Sequence, residues 1–271
     1  MSDSPATPFR TSGRTSTPLT PPLYQQSQPI YEMSVANCRL LDQRAANEFG
    51  IPSIVLMENA AIALCTHALH MLKTTRNQSI LIACGPGNNA GDGFALARHL
   101  HNQSLSPIIV MTAPRSAITG DAKINLDIIT KMGITIIAAN EYLQAQNTQK
   151  TNSTPPLIPG LIIDALFGTG LTRPITGTPA DLIKHINTQR SQGSLVLAVD
   201  VPSGLNAQTG TPIGNTVITA DRTVTFAALK EGYRTIEAQP YLGETHIANI
   251  GLPISLLESL GTPVQPPQGS D

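Results

Sequence analysis

Short apolar runs recur along the chain and alternate with longer stretches in which apolar residues repeat at helical spacing. Seven of these runs have the length and composition of strands: residues 79–84, 107–111, 134–138, 161–164, 195–200, 223–229 and 244–250. Apolar strands that alternate with helices pack as a parallel sheet between two helical layers. The pattern therefore predicts an α/β fold with a mostly parallel central sheet.

Five stretches are predicted helices: residues 34–49, 53–72, 94–101, 121–132 and 179–187. Ser34 has the side chain of a helix N-cap, and Gly50 is suited to stop the same helix. The second helix follows Pro52. Residues 140–159 are polar and lack a clear period, so they are predicted to form a surface connection.

Both ends of the chain differ from the middle. Residues 1–28 are rich in Ser, Thr and Pro and are predicted to be a disordered tail, followed by one ordered domain at 29–260 and a flexible tail at 261–271. The first tail lacks the apolar core of a secretory signal. Arg10 and Arg14 weakly resemble an organellar transit peptide, whereas Asp3 and the prolines argue against one. A cytoplasmic location is expected, with organellar targeting left open.

Composition narrows the classes of partner. The 271 residues suit one large α/β domain, and only 13% are charged, for a net charge of −1. This balance gives no electrostatic basis for binding nucleic acid or an anionic membrane, and no apolar run is taken as a membrane span. The three cysteines match no zinc or redox spacing, which favours free thiols in a reducing compartment.

A glycine-rich turn follows the first strand of the predicted sheet. Residues 85–93 read GPGNNAGDG and lead into a helix, whose free N–H groups suit an anion such as phosphate. The run is neither GxGxxG, because Ala90 interrupts it, nor a Walker A loop. A plain strand-to-helix turn is the alternative. The density of Gly, Asn and Asp favours a ligand-facing loop.

Two acidic residues close apolar strands in the second half of the chain. Asp164 is followed by the GTG run of Gly168, Thr169 and Gly170, and Asp200 is followed by a proline, a serine and a glycine. Either acid alone is well explained as a solvated strand end. Two of them on strands expected to be neighbours, facing one glycine-rich loop, predict a ligand site.

Oxygen-bearing side chains gather at the same predicted edge. The Asn89 amide, the Asp164 carboxylate and the Ser203 hydroxyl are ligands that hard cations prefer. The absence of His and Cys from this set disfavours zinc, and its low charge favours a monovalent ion over calcium. The residues alone do not choose the ion.

Six segments of the chain, in this order, resemble the NAD(P)H-hydrate epimerase family, also called the YjeF N-terminal domain family. They lie at residues 39–61, 85–93, 120–129, 162–177, 199–210 and 224–233, and the resemblance extends over about residues 33–253. It implies a Rossmann-like three-layer α/β/α sandwich, a homodimer, and an isomerase that interconverts the R and S forms of hydrated NADH and NADPH. A companion dehydratase, expected here as a separate protein, consumes the S form.

The resemblance also implies roles for individual positions. Asp200 is expected to contact substrate and to perform the acid–base chemistry, and one potassium ion per subunit is expected on Asn89, Asp164 and Ser203. Substrate is expected to be lined by Asn88, Asn89, Ala90, Gly91, Asp92, Gly168, Thr169, Gly170, Leu171, Thr172, Arg173, Pro174 and Asp200. Ala90 and Ala227 stand where the family commonly has glycine. Ala90 is expected to weaken binding if its backbone needs a positive φ or a close ligand.

Two other functions compete with this interpretation. A non-catalytic binding scaffold of the same fold would not need the acid or the ion ligands, all of which are present here. An ordinary NAD-dependent oxidoreductase is disfavoured by the interrupted fingerprint. Lys230 is expected either to meet a phosphate or to be a solvated strand-end lysine, and Glu58 and Asn59 are expected to be structural.

Overall fold

Ten strands form two sheets in the computed structural model, which describes residues 29–151 and 158–264. The strands are β1 (Ile30–Met33), β2 (Ile80–Cys84), β3 (Ile108–Met111), β4 (Ile136–Ala138), β5 (Leu161–Ala165), β6 (Leu195–Val199), β7 (Arg222–Phe226), β8 (Leu229–Lys230), β9 (Glu244–Ala248) and β10 (Thr262–Val264). Seven strands pair in parallel in the order β4-β3-β2-β5-β6-β7-β9, and the other three form a small sheet, β10-β1-β8.

Eight α-helices accompany the strands in the described part of the chain. They are α1 (Val35–Phe49), α2 (Ser53–Leu72), α3 (Asn88–Asn102), α4 (Gly120–Lys131), α5 (Ala139–Thr151), α6 (Thr178–Ser191), α7 (Gln239–Leu242) and α8 (Ile254–Leu260). One core cluster packs α2, α3 and α4 on one face of the large sheet, and a second packs α5 and α6 on the other. The Rossmann-like α/β/α sandwich expected from the sequence is confirmed.

The first two helices begin and end where their residues predict. The Ser34 side chain accepts a hydrogen bond from the Asn37 N–H at 3.1 Å, and Gly50 ends α1 in the left-handed conformation with φ 66°.

The 20-residue α2 has the hydropathy and length of a membrane span, so the described part of the chain contains one candidate span that the sequence analysis did not identify. Half of that stretch is buried inside the protein, as in the core helix of a globular domain.

Three sequence predictions are wrong. The helix predicted from residue 94 begins at Asn88, because the glycine-rich run forms the first turns of α3. The surface connection predicted at residues 140–159 contains α5, a helix whose amphipathic period is weak in the sequence. Residues 152–157 lie outside the described part. Thr262–Val264, predicted as flexible tail, forms β10 because β1 offers it a free edge to pair with. The predicted tail at 1–28 lies outside the described residues.

The order of the strands fixes where a ligand can bind. Chain progression runs outward from β2 to β3 and β4, and then returns to the other side of β2 with β5, β6 and β7. The order in which the chain adds strands to the sheet therefore reverses between β2 and β5, and the connections that follow these two strands diverge. Open α/β sheets bind ligands in the crevice beyond the carboxyl ends of strands at such a switch point.

Candidate functional site

A cavity of about 640 Å³ opens beyond the carboxyl ends of β2, β5 and β6. Its walls come from the start of α3, from the loop at residues 166–173, from Asp200 after β6, and from side chains of α1 and α2. This volume lies within the usual range for small-molecule sites. The cavity, referred to below as the strand-end cavity, is therefore the candidate site.

Most of the residues expected to meet substrate line this cavity. They are Asn88, Asn89, Asp92, Gly168, Thr169, Gly170, Leu171, Thr172, Arg173 and Asp200. Ala90 and Gly91 do not, because their side of α3 faces the core: Ala90 is fully buried, and a β-carbon on Gly91 would lie 2.7 Å from Met57 Sδ. Pro174 packs against Gly214 instead. Ala90 is helical without a positive φ, so the expected penalty at this position has no structural basis.

Asp200 is held at the end of β6 in an unusual backbone conformation. Its φ is 61°, a left-handed value that Asp and Asn tolerate better than most residues. The Asp200 carbonyl accepts a hydrogen bond from the Tyr233 hydroxyl at 2.5 Å. Its carboxylate Oδ1 accepts from Thr225 Oγ1 at 3.0 Å and from the Phe226 N–H at 3.3 Å. These contacts aim the carboxylate into the strand-end cavity.

Lys230 is the cationic partner of Asp200. Its Nζ donates to Asp200 Oδ1 at 2.5 Å, to Thr225 Oγ1 at 2.7 Å and to the Phe226 carbonyl at 3.1 Å. The side chain is only 3% exposed. Burial by itself lowers the pKa of Lys230, but the charge and hydrogen bond of Asp200, together with the charges of Cys38 and Asp42, outweigh it and the pKa is raised. The sequence predicted either a phosphate ligand or a solvated lysine at this position. Lys230 is instead a buried partner of the candidate acid–base residue, Asp200.

Asp92 brings a second carboxyl group to the cavity from α3. The residue is 8% exposed, and among the described residues its side chain makes no hydrogen bond or ion pair. Burial, reinforced by the negative charges of Asp200 and Asp42, raises the pKa of Asp92 well above its ordinary value. Asp92 therefore holds its proton to a higher pH than a solvated aspartate does.

The first helix supplies residues that the sequence did not single out. Cys38, Arg39 and Asp42 of α1 all line the cavity, and Arg39 Nη2 donates to the Thr169 carbonyl at 3.1 Å. Loss of solvent and the charge of Asp200 raise the pKa of Asp42 to about 6. The segment at 39–61, which resembles the family, contains Arg39 and Asp42, but the spacing of its residues does not indicate that α1 folds over the strand ends. Asn59, by contrast, is structural as predicted, since it donates to the Ile250 carbonyl at 2.8 Å.

One side of the cavity has the features of an anion site. Gly87 precedes α3 without a side-chain cap, which leaves helix N–H groups available at Asn88 and Asn89. Arg39 and Arg173 line the same cavity. A helix start and two guanidinium groups are suited to the diphosphate of a nucleotide.

Two of the three residues expected to hold potassium, Asp164 and Ser203, contact each other in the interior of the protein. Asp164 is fully buried, and its oxygens accept from the Ser203 N–H at 2.7 Å and the Ser203 hydroxyl at 2.6 Å. Burial raises the pKa of Asp164 to about 6, and no ion pair to it occurs among residues 29–151 and 158–264. The third residue, Asn89, lies against Gly168, and among the described residues its buried Nδ2 has no hydrogen-bond partner. This oxygen-only set with one uncompensated carboxylate fits a monovalent cation.

No group of three or more His, Cys, Asp or Glu residues suited to a transition metal occurs in the described part of the chain.

Ala227, where the family commonly has glycine, has φ 62° and lines the cavity. A non-glycine residue in this conformation is strained by about 1 kcal/mol, and such strain tends to occur at functional sites.

Comparisons with known proteins agree with this architecture. The profile of the family described as YjeF-related protein N-terminus matches residues 53–232. An NAD(P)H-hydrate epimerase of Rhodopirellula baltica is 34% identical over 85% of this chain and 89% of its own length. A bifunctional NAD(P)H-hydrate repair enzyme of Moorella thermoacetica is 38% identical over 84% of this chain, which spans 42% of that protein.

A solved structure shares the fold. The yeast protein ynu0 superposes with a TM-score of 0.69 over 89% of this chain and 98% of its own, at 18% sequence identity. Together with the profile match across most of the described domain and the 34% identity to a relative of similar length, the comparisons establish the family. The chain belongs to the family of YjeF-related protein N-termini.

Proposed function

We propose that this protein is an NAD(P)H-hydrate epimerase, an isomerase that interconverts the R and S forms of hydrated NADH and NADPH. The observation that carries the proposal is the strand-end cavity, in which the carboxylate of Asp200 and an anion site at the start of α3 open into the same space. A dinucleotide substrate needs both features, one for its diphosphate and one for its hydrated nicotinamide ring. The similarity to curated epimerases over most of the chain supports the same conclusion.

The chemistry required is modest and suits carboxyl groups. The epimerised carbon bears a hydroxyl group and adjoins the ring nitrogen, whose lone pair stabilises a cation once the hydroxyl has left as water. Water then adds to the other face of the planar ring. Proton transfer to the departing oxygen and from the entering water by placed side chains accelerates such steps by about 10²–10⁴-fold.

A coupled assay tests the proposed activity. R-NADPHX is incubated with an excess of an S-specific dehydratase, with and without this protein, in potassium buffer. The R form is expected to disappear at the slow spontaneous rate without the protein and much faster with it. Binding of the nucleotide without any acceleration would instead indicate a non-catalytic scaffold of the same fold.

We also propose that Asn89, Asp164 and Ser203 hold one potassium ion. Asp164 and Ser203 lie directly beneath the loop at residues 166–173, since the Phe167 N–H donates to Ser203 Oγ at 2.9 Å. When bound, the ion supplies a positive charge that offsets the buried Asp164 carboxylate. Asn89 and the loop that lines the cavity are then held in place together.

Potassium is expected to stabilise the folded protein. At an ion concentration about five times the dissociation constant, preferential binding to the folded state contributes about 1 kcal/mol, which raises the melting temperature by about 2–4 °C. Thermal unfolding in potassium chloride and in choline chloride at equal ionic strength measures the effect. Asp164→Asn is expected to abolish the difference and Asp127→Asn, at an exposed position of α4, to preserve it. An equal response in both variants would contradict the site.

The remaining expectations about partners and location stay predictions. The Moorella relative is described as bifunctional, and this chain matches 42% of it, which is consistent with a dehydratase as the functional partner of this protein. Apolar side chains suited to a homodimer are exposed on α1 and α2, namely Leu40, Phe49, Val55 and Ile62. A cytoplasmic location rests on the sequence alone.

A further inference from the structure

We infer that Asp92 is a second catalytic residue of the proposed epimerase, which donates the proton that releases the substrate hydroxyl while Asp200 accepts a proton from the entering water. The inference rests on the proposed function. It replaces the expectation that Asp200 alone serves as acid and then as base. It is based on the different surroundings of two carboxyl groups that share one cavity.

Hydrogen-bond donors surround one oxygen of the Asp200 carboxyl group. Its Oδ1 accepts three hydrogen bonds, from Lys230 Nζ, Thr225 Oγ1 and the Phe226 N–H. These donors include the Lys230 ammonium, which is 3% exposed and has Asp200 as its counter-charge. The other oxygen of Asp200, Oδ2, accepts no hydrogen bond among the described residues and is left to take the proton of the entering water.

The surroundings of Asp92 favour its protonated form. The side chain is almost completely enclosed, and no lysine, arginine or hydrogen-bond donor contacts it among the described residues. It is the fifth residue of α3, beyond the first turn, where a helix N-terminus stabilises an anion. Burial and the negative charges of Asp200 and Asp42 raise the pKa of its carboxyl.

Other ionisable groups also face the cavity. Acidic or thiol groups come from α1, α4 and the end of β6, and basic groups from α1, the loop at 166–173 and β8: Cys38, Asp42, Asp121 and Asp200, then Arg39, Arg173 and Lys230. Arg39 contacts the Thr169 carbonyl and Lys230 contacts Asp200, so both are engaged elsewhere. Asp121 accepts from the Ser53 hydroxyl at 2.5 Å. Only Asp200 and Asp42 act appreciably on Asp92, and both favour its neutral form.

The two carboxyl groups approach the cavity from different elements. Asp92 comes from the helix after β2, and Asp200 follows β6, with β5 between the two strands. β2 and β6 are two strand spacings apart, about 10 Å. Epimerisation requires that the hydroxyl leaves one face of the ring and water enters the other. A donor and an acceptor that come from different elements of the cavity wall can meet this requirement without rotation of the substrate.

Each step balances with these two groups. As the carbon–oxygen bond breaks, the hydroxyl takes the Asp92 proton and leaves as water, and the ring-nitrogen lone pair forms a double bond to the carbon. A second water attacks the opposite face, its proton passes to Asp200, and the electron pair returns to nitrogen. Exchange with solvent then restores the proton of Asp92 and removes that of Asp200. For the reverse conversion the two roles exchange.

The test compares Asp92→Asn with wild type and with Asp181→Asn, the same substitution at an exposed position of α6. Asp92→Asn is expected to lower kcat by about 10²-fold or more while NADPH, the unhydrated analogue, still binds. Asp181→Asn is expected to retain the wild-type rate. Because the donor must be protonated, wild-type kcat is expected to fall as the pH rises through the raised pKa of Asp92, and the residual rate of Asp92→Asn to lack this fall.

The outcomes are distinguishable. A folded Asp92→Asn protein with near-wild-type kcat, or one that keeps the alkaline fall, would overturn the role of Asp92 alone. If the variant does not fold, the wild-type profile decides, since a rate that does not fall as the pH is raised would also overturn it. A wild-type protein that binds nucleotide but shows no epimerisation would overturn the proposed function itself.

Discussion

Replacing Asp200 with asparagine is expected to lower kcat by about 10²–10⁴-fold, because the amide cannot accept the proton of the entering water. Asparagine preserves the shape of the side chain and tolerates the left-handed backbone at φ 61°, so the local conformation should survive. The measurement is the coupled assay with R-NADPHX and an S-specific dehydratase. KM is expected to change less than kcat, because the anion site at the start of α3 is untouched.

Two controls accompany this variant. Asp181→Asn tests the effect of the substitution type at an exposed position and is expected to keep normal turnover. Thermal unfolding tests whether the Asp200→Asn protein is folded at the assay temperature. This control is necessary because Lys230 loses its counter-charge. Near-normal turnover with bound substrate would show that Asp200 is not the acid–base residue.

Lys230→Met is expected to destabilise the folded protein by about 3 kcal/mol, which corresponds to a loss of about 6–12 °C in melting temperature. Methionine fills the space of the lysine stem but removes three hydrogen bonds and the partner of Asp200. Urea unfolding measures the loss. Lys184→Met, at an exposed position of α6, is the matched control and is expected to change stability little.

A double variant separates the ion pair from simple packing. Asp200→Asn and Lys230→Met each leave one charge unpaired, whereas the combination leaves none, so its loss of stability should be smaller than the sum of the single losses. Additive losses would show that the pair contributes no coupling energy.

The pH dependence of stability has a defined sign. The folded pKa of Lys230 lies above its ordinary value of 10.5. The stabilisation is therefore complete below that pH and is lost as the pH rises through the raised pKa. The difference in stability between wild type and Lys230→Met should narrow as the pH rises through that alkaline range.

Local sequence predicted the layers of the fold well. Strands such as β2 and β5 are short, apolar and bounded by glycine-rich turns, and α1 carries its own cap and stop in Ser34 and Gly50. Such signals act over a few residues and survive in any context. The sequence predicts a loop at the glycine-rich start of α3, because glycine has a low intrinsic helix propensity. Close packing against Met57 and the sheet favours glycine in the helix there.

By itself, the sequence determined the α/β class, the family, and the strand ends that carry Asp164 and Asp200. Tertiary structure alone decided what each side chain meets. It brought α1 over the cavity, paired Lys230 with Asp200 across 30 positions of the chain, and enclosed Asp92 beside two other carboxyl groups. These arrangements escape sequence reasoning because burial and Coulomb interactions depend on distances between elements far apart in the chain. The same carboxyl side chain is a base at Asp200 and an acid at Asp92 only because the fold surrounds the two differently.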